Sequence, residues 1–273
     1  MLPGYYYQLT VERIDPQGAW LNTDGEQLLL RRRECPDELT PGATIEVFIY
    51  LDRNNRLTAT TRRPFAAADQ FALLKVSSIG PHGAFLDWGL EKDLLAPFSE
   101  QPQKMLEGRR YLVRICHDQE ERPIASARLE KFLEQENRDL QPGEEIEVLI
   151  WAFTDLGAKV IVNNQYEALL YRDEIPAGLK RGDCCRGFVQ HIRADQRIDV
   201  TLRRPGAAGI TDAREIILEA LQAEGFLPLH DQSPPELIRS RLGLSKKQFK
   251  KALGGLYKDG LVELGHKGVR LPG

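Results

Sequence analysis

Ile79-Gly80-Pro81-His82-Gly83-Ala84-Phe85-Leu86-Asp87 decides the fold, because its Gly-Ala pair stands at two further places in the chain. The same pair falls at Gly18-Ala19 and Gly157-Ala158, giving three copies spaced roughly 70 residues apart. Each copy follows a run rich in aromatic and β-branched residues, at 5–11, 71–76 and 146–153. Each is followed by a leucine-rich stretch at 28–30, 94–95 or 169–170, by a glycine (Gly42, Gly108, Gly182), and by a late arginine (Arg56, Arg122, Arg197). Self-similarity at this period fixes the architecture before any single element is read, and each unit is long enough to be a small domain.

Within a unit the pattern supplies five short strands. They are the opening run, the stretch starting at Gly-Ala, the leucine-rich stretch, a run after the second glycine (44–51, 111–116, 185–191) and a closing run (57–61, 124–127, 198–202). Turn signals such as Asp15-Pro16-Gln17-Gly18 and Gly80-Pro81-His82-Gly83 separate them. Five strands in so short a span predict a small closed barrel of the oligonucleotide/oligosaccharide-binding type. Closure removes exposed sheet edges, so the barrels are expected to stay independent of one another. The charged amphipathic segment 129–140 reads as a short helix ending before Gln141-Pro142-Gly143.

After Pro205-Gly206 the apolar period lengthens to between three and four. From Asp212 onward Ala213, Ile216, Ile217, Ala220 and Leu221 share one helical stripe that stops at Gly225. Ser233-Pro234-Pro235-Glu236 and Ser245-Lys246-Lys247-Gln248 read as two capping boxes. The second opens a helix expected to bury Phe249, Ala252, Leu253, Leu256 and Tyr257. A closing hairpin, Leu261-Val262-Glu263-Leu264 and Val269-Arg270-Leu271, completes a winged helix-turn-helix. The expected fold class is therefore mostly β with α. Three tandem five-stranded barrels fill residues 1–66, 67–138 and 139–206, and a winged-helix domain fills 207–273.

A formal charge of −3 leaves no global basic footprint, so any polyanion site is a local patch. The longest apolar runs are too short to cross a bilayer and the start lacks a signal-peptide pattern, which predicts a cytoplasmic protein. Cys35, Cys116, Cys184 and Cys185 show neither metal spacing nor a disulfide framework, and the five histidines are scattered. No catalytic or phosphate-loop motif occurs, so neither an enzyme nor a cofactor or metal site is expected.

The run 79–87 followed by Leu94-Leu95-Ala96-Pro97-Phe98-Ser99-Glu100 resembles the S-one RNA-binding domain, a five-stranded barrel named for a ribosomal protein. Three such units and a winged helix, filling essentially the whole chain, resemble the conserved virulence factor B family, and the resemblance implies an RNA-binding, regulatory and non-catalytic protein. It also implies contacts from two aromatics flanking Gly-Ala, a histidine in the leucine-rich strand, and an aspartate and arginine before the last strand. The middle repeat places His82, Phe85, Asp118 and Arg122 at these positions, with Pro97 replacing the histidine. The first keeps Trp20, Asp52 and Arg56, with Arg31 at the histidine position and Gln17 in place of an aromatic. The third departs at Leu156, Lys159 and Arg193, leaving Tyr171 and Arg197.

These residue types suit unpaired RNA. An outward aromatic stacks on any base, contributing about 1–3 kcal/mol per base, and arginine both pairs with phosphate and stacks. Arg31-Arg32-Arg33 adds a charge run, and the last segment offers a basic face of Lys246, Lys247, Lys250, Lys251, Lys258, Lys267 and Arg270. Gly254-Gly255 within that helix suggests a close approach. The expected partner is single-stranded RNA, bound by a monomer with no membrane partner. Duplex DNA read by the winged helix of a transcription regulator, and a scaffold or ribosome-associated role, stand as alternatives.

Overall fold

The computed structural model describes residues 1–272 apart from 24, 26, 205, 266 and 267, with residues 206–212 described by their backbone. The chain forms two compact units, Met1–Leu133 and Glu134–Gly273. The first barrel comprises β1 (Tyr6–Asp15), β2 (Gly18–Asn22), β3 (Gln27–Arg31), β4 (Thr44–Leu51) and β5 (Leu57–Thr60), closed in the order β1-β2-β3-β5-β4. The middle barrel repeats that order with β6 (Phe71–Gly80), β7 (Gly83–Asp87), β8 (Leu94–Pro97), β9 (Arg110–His117) and β10 (Pro123–Ser126). In the third the strands are β11 (Glu145–Phe153), β12 (Gly157–Val162), β13 (Tyr166–Tyr171), β14 (Cys184–Ile192) and β15 (Ile198–Thr201). In every barrel the third and fifth strands pair in parallel and all other neighbours are antiparallel.

Strand alternation sorts the side chains after each Gly-Ala pair. Ala19 and Leu21, Ala84 and Leu86, and Ala158 and Val160 are buried, so the residues between them, Trp20, Phe85 and Lys159, project from the outer surface. A bulge in each opening strand, between Val11 and Arg13, Val76 and Ser78, and Ile150 and Ala152, sets the register that follows. It brings Arg13 opposite Trp20, Ser78 opposite Phe85 and Ala152 opposite Lys159.

Two expectations about the barrels need correction. The first and middle barrels are not independent: Phe48 and Tyr50 of β4 join Ala66, Ala67, Ala68 and Trp88 in one core with the middle barrel's Leu74, Val76 and Leu86. The rings of Phe48 and Trp88 meet edge to face with centroids 5.7 Å apart. Burying one such side chain contributes about 1.5–3 kcal/mol, which favours a docked pair over two free modules. Segment 129–140 is not a helix. Only Leu129–Phe132 makes a 3-10 turn, after which Glu134 bridges to Tyr166 and the Asn137 side chain bonds the backbone of Leu140.

The last module contains α1 (Gly206–Glu224), β16 (Phe226–Leu227), α2 (Pro235–Leu242), α3 (Lys246–Lys258), β17 (Glu263–Gly265) and β18 (Gly268–Arg270), with sheet order β16-β18-β17. It is a winged helix. Helix α1 starts ahead of Asp212, and β16 adds a strand the sequence pattern did not reveal. The Ser245–Gln248 capping box forms. The one expected at Ser233 does not: Pro234 precedes α2 without a side-chain cap, and Ser233 Oγ accepts from the His230 N–H at 2.9 Å. Tyr257, expected in the core, is 58% exposed. An added Cβ at Gly254 would meet open space and one at Gly255 only ordinary contact with Arg214, so no neighbouring segment among the described residues requires glycine here.

Candidate nucleic-acid interface

The middle barrel gathers all four of its expected contact residues. His82, Phe85, Asp118 and Arg122 line one open cleft of about 460 Å³. Phe85 lies flat because Gly80 has no side chain: a Cβ there would sit 2.7 Å from Phe85 Cε2. Asp118 shapes the loop beneath, accepting the backbone N–H groups of Glu120 and Arg122 at 2.9 Å each. Arg122 Nε donates to Asp118 Oδ2 at 2.8 Å, and its Nη1 lies 3.0 Å from Glu120. Burial alone pushes the Asp118 carboxyl up, but the bonds from Arg122 and Glu120 outweigh it and hold the group below its ordinary value. The result is an aromatic platform beside a half-exposed guanidinium whose three nitrogens are held by Asp118 and Glu120.

Sequence reasoning missed three contributors to this cleft. Trp88 and Lys92 line it from the middle barrel, and Asn55 reaches it from the first. Lys92 Nζ donates to Asn55 Oδ1 at 2.7 Å and to the Asp52 carbonyl at 3.0 Å. Contact between repeats brings Asn55 to the cleft, so no motif within a repeat signals it.

The first barrel is less open. Trp20 projects outward as expected, but Arg13 covers one ring face at 4.4 Å and the indole N–H donates to Asp15 Oδ2 at 2.6 Å. Arg31 pairs with Glu91 of the middle barrel at 2.9 Å, and Arg33 pairs with the same carboxylate. Asp52 is turned onto its own loop, accepting the N–H groups of Asn54 and Arg56. Arg56 is exposed, with no ion pair among the described residues.

The bond from Trp20 is the largest influence on Asp15, lowering its carboxyl below the ordinary value against an opposing effect of burial. A folded pKa below the unfolded one gives stabilisation that is complete above about pH 3.9 and lost as pH falls through the folded value. The emission of Trp20, read as the difference between the chain and Trp20→Phe, is therefore expected to step below pH ~3.9. A midpoint above that value contradicts the bond.

The third barrel has filled its corresponding place from within. Arg193 donates to both oxygens of the buried Asp199, at 2.6 to 3.0 Å, and to the Tyr171 hydroxyl at 3.0 Å. Tyr171 is thus engaged internally. Arg197 remains exposed, 3.6 Å from Asp195. On α3 Lys247, Lys250, Lys251 and Lys258 are exposed and have no ion pair among the described residues, opposite the buried Phe249, Ala252, Leu253 and Leu256. Lys246 is partly buried, with Nζ 3.5 Å from the Gln232 carbonyl, and Arg270 pairs with Glu263 at 2.6 Å. Lys267 lies outside the described residues.

Three closed barrels followed by a winged helix, with an aromatic-cationic cleft and a lysine face, define a chain of the nucleic-acid-binding class. Matches to two family models support that class. Residues 3–62 match the S1 domain family and residues 215–271 the CvfB-like winged helix domain. The S1 match falls on the first barrel, whereas the sequence signature was read in the middle one, which has the same strand order. The chain is related along most of its length to conserved virulence factor B of Staphylococcus aureus, with 26% identity covering 88% of this chain and 84% of that protein. An uncharacterized Bacillus subtilis protein, YitL, is 28% identical, covering 96% of this chain and 91% of its own. A crystal structure of a multidomain Streptococcus pneumoniae protein with nucleic acid binding domains aligns over 99% of this chain and 98% of that one, at 23% identity and a TM-score of 0.43.

Proposed function

We propose that the protein is a cytoplasmic, non-catalytic regulator that binds single-stranded RNA, with the middle barrel as its principal base-contacting site. The observation that carries this reading is the convergence of Phe85, His82 and Arg122 on one open cleft. An unpaired base stacks on Phe85 while Arg122 meets the adjoining phosphate, an arrangement that needs no duplex. Trp20 and Arg56 add a weaker contact in the first barrel, Arg197 one in the third, and the α3 lysines add phosphate contacts without base selection. Tethering makes weak sites cooperate, since each later contact is intramolecular.

Titration of the full chain with single-stranded RNA and with duplex DNA, at several salt concentrations, tests this. RNA is expected to bind more tightly, with log affinity falling by about 0.7 per neutralised phosphate for each decade of salt. Substituting Lys247, Lys250 and Lys251 by Gln should flatten that slope while preserving the preference for RNA. A preference for duplex DNA that disappears with the same substitutions would instead assign the protein to winged-helix DNA recognition.

A further inference from the structure

We propose that the first barrel holds a second phosphate cradle, formed by Arg31, Arg33 and Arg53, and that Glu91 of the middle barrel occupies it until a polyanion displaces the carboxylate. Arg31 Nη1 lies 2.9 Å from Glu91 Oε2, and Arg33 Nη2 meets the other oxygen, Oε1. Arg53 Nη2 donates to the Glu91 carbonyl at 3.4 Å. Two guanidinium groups on the two oxygens of one anion is an arrangement a phosphodiester also satisfies, through its two non-bridging oxygens. A cavity of about 450 Å³ adjoins the contact, lined by Arg31, Tyr50, Asp52, Arg53 and Lys92.

The exposure of these side chains makes the carboxylate replaceable. Arg31, Arg33 and Glu91 retain 38%, 54% and 31% of their side-chain surface, and ion pairs so open to water contribute little to stability. Replacement also leaves the two barrels joined. Lys92 stays bonded to Asp52 and Asn55, and Phe48 stays packed on Trp88. Glu91 therefore acts as an internal competitor that lowers the first barrel's affinity without breaking the unit. That the natural polyanion is RNA rests on the reading above; the cradle itself does not.

Glu91→Gln keeps the side chain's shape and removes its charge. In this variant inorganic tripolyphosphate is expected to raise Tm at concentrations about tenfold lower than the parent chain requires. Single-stranded RNA should bind about threefold to tenfold more tightly at 0.1 M salt, with a slope steeper by about 1.4 for two released arginines. Both gains should vanish when Arg31→Gln and Arg33→Gln are added. Equal tripolyphosphate responses in parent and variant, or gains that survive loss of the two arginines, overturn the cradle. If the tripolyphosphate gain appears while neither chain binds RNA, the cradle stands and the RNA reading fails. If RNA binds both chains alike and tripolyphosphate does not distinguish them, the cradle alone fails.

Discussion

Replacing Phe85 and Arg122 together by alanine is expected to lower affinity for single-stranded RNA by about 10- to 100-fold at 0.1 M salt. One stacked base accounts for about 1–3 kcal/mol, and one phosphate contact adds a share that shrinks as salt rises. The fold should tolerate both changes. Phe85 lies outside the barrel wall, between the buried Ala84 and Leu86, and Arg122 is exposed on a loop whose backbone bonds to Asp118 remain. The single variants should separate by salt: Phe85→Ala lowers affinity by a similar factor at every ionic strength, whereas Arg122→Ala lowers it most at low salt and flattens the slope by about 0.7. Fluorescence anisotropy with a labelled oligonucleotide reads both quantities. Unchanged affinity in the double variant would remove the middle barrel from the site.

The second large effect lies in the wall of the barrel. At Gly83 an added Cβ would meet the Ala96 carbonyl oxygen at 2.1 Å, and the equivalent atoms at Gly18 and Gly157 would meet the carbonyls of Leu30 and Leu170 at 2.0 and 2.1 Å. Each opposing atom is backbone, so no side-chain rotation relieves the clash. Gly83→Ala is expected to destabilise the first unit by about 1–3 kcal/mol, the typical range of overpacking. Urea unfolding followed by tryptophan fluorescence should show the midpoint falling accordingly. Gly254→Ala is the matched control. Gly254 is exposed on α3 with open space around it, so alanine there should add up to about 1 kcal/mol of helix stability. A Gly83 variant as stable as the parent would show that β7 and β8 are less closely apposed.

The same clash explains why the Gly-Ala landmark made the barrels legible. A position that admits no side chain marks the strand's start, whereas the outer face of Trp20 and Phe85 is fixed only by the burial of Ala19, Leu21, Ala84 and Leu86 beside them. Elsewhere local pattern misled. Leu129, Leu133 and Leu140 are all buried, which imitates a helical stripe, yet beyond its opening 3-10 turn the stretch is a bent loop whose backbone bonds go to Gln165 and Gln196 rather than along a helix. Ser233 had the composition of a cap, but its hydroxyl bonds His230 and the chain enters α2 through two prolines. Tyr257 followed the apolar spacing of α3 and still faces water. The pairing of Arg31 and Arg33 with Glu91 crosses from one repeat to the next, so neither periodicity nor a motif within a repeat discloses it. Arg193 was read as a departure from pattern, and its bond to Asp199 gives that departure a physical cause.

Each barrel is finished by its fifth strand, which seals the wall by lying parallel to the third. During synthesis that seam is the last to appear, so at about 5–20 residues per second a nascent barrel spends seconds as an open curl with unsatisfied strand edges. Arrival of Leu57–Thr60 closes the first barrel before most of the middle one exists, leaving Phe48 on its flank to await Trp88. Strand order along the chain thus places every element of the first ring ahead of the second, with Phe48 already on the flank that Trp88 will meet.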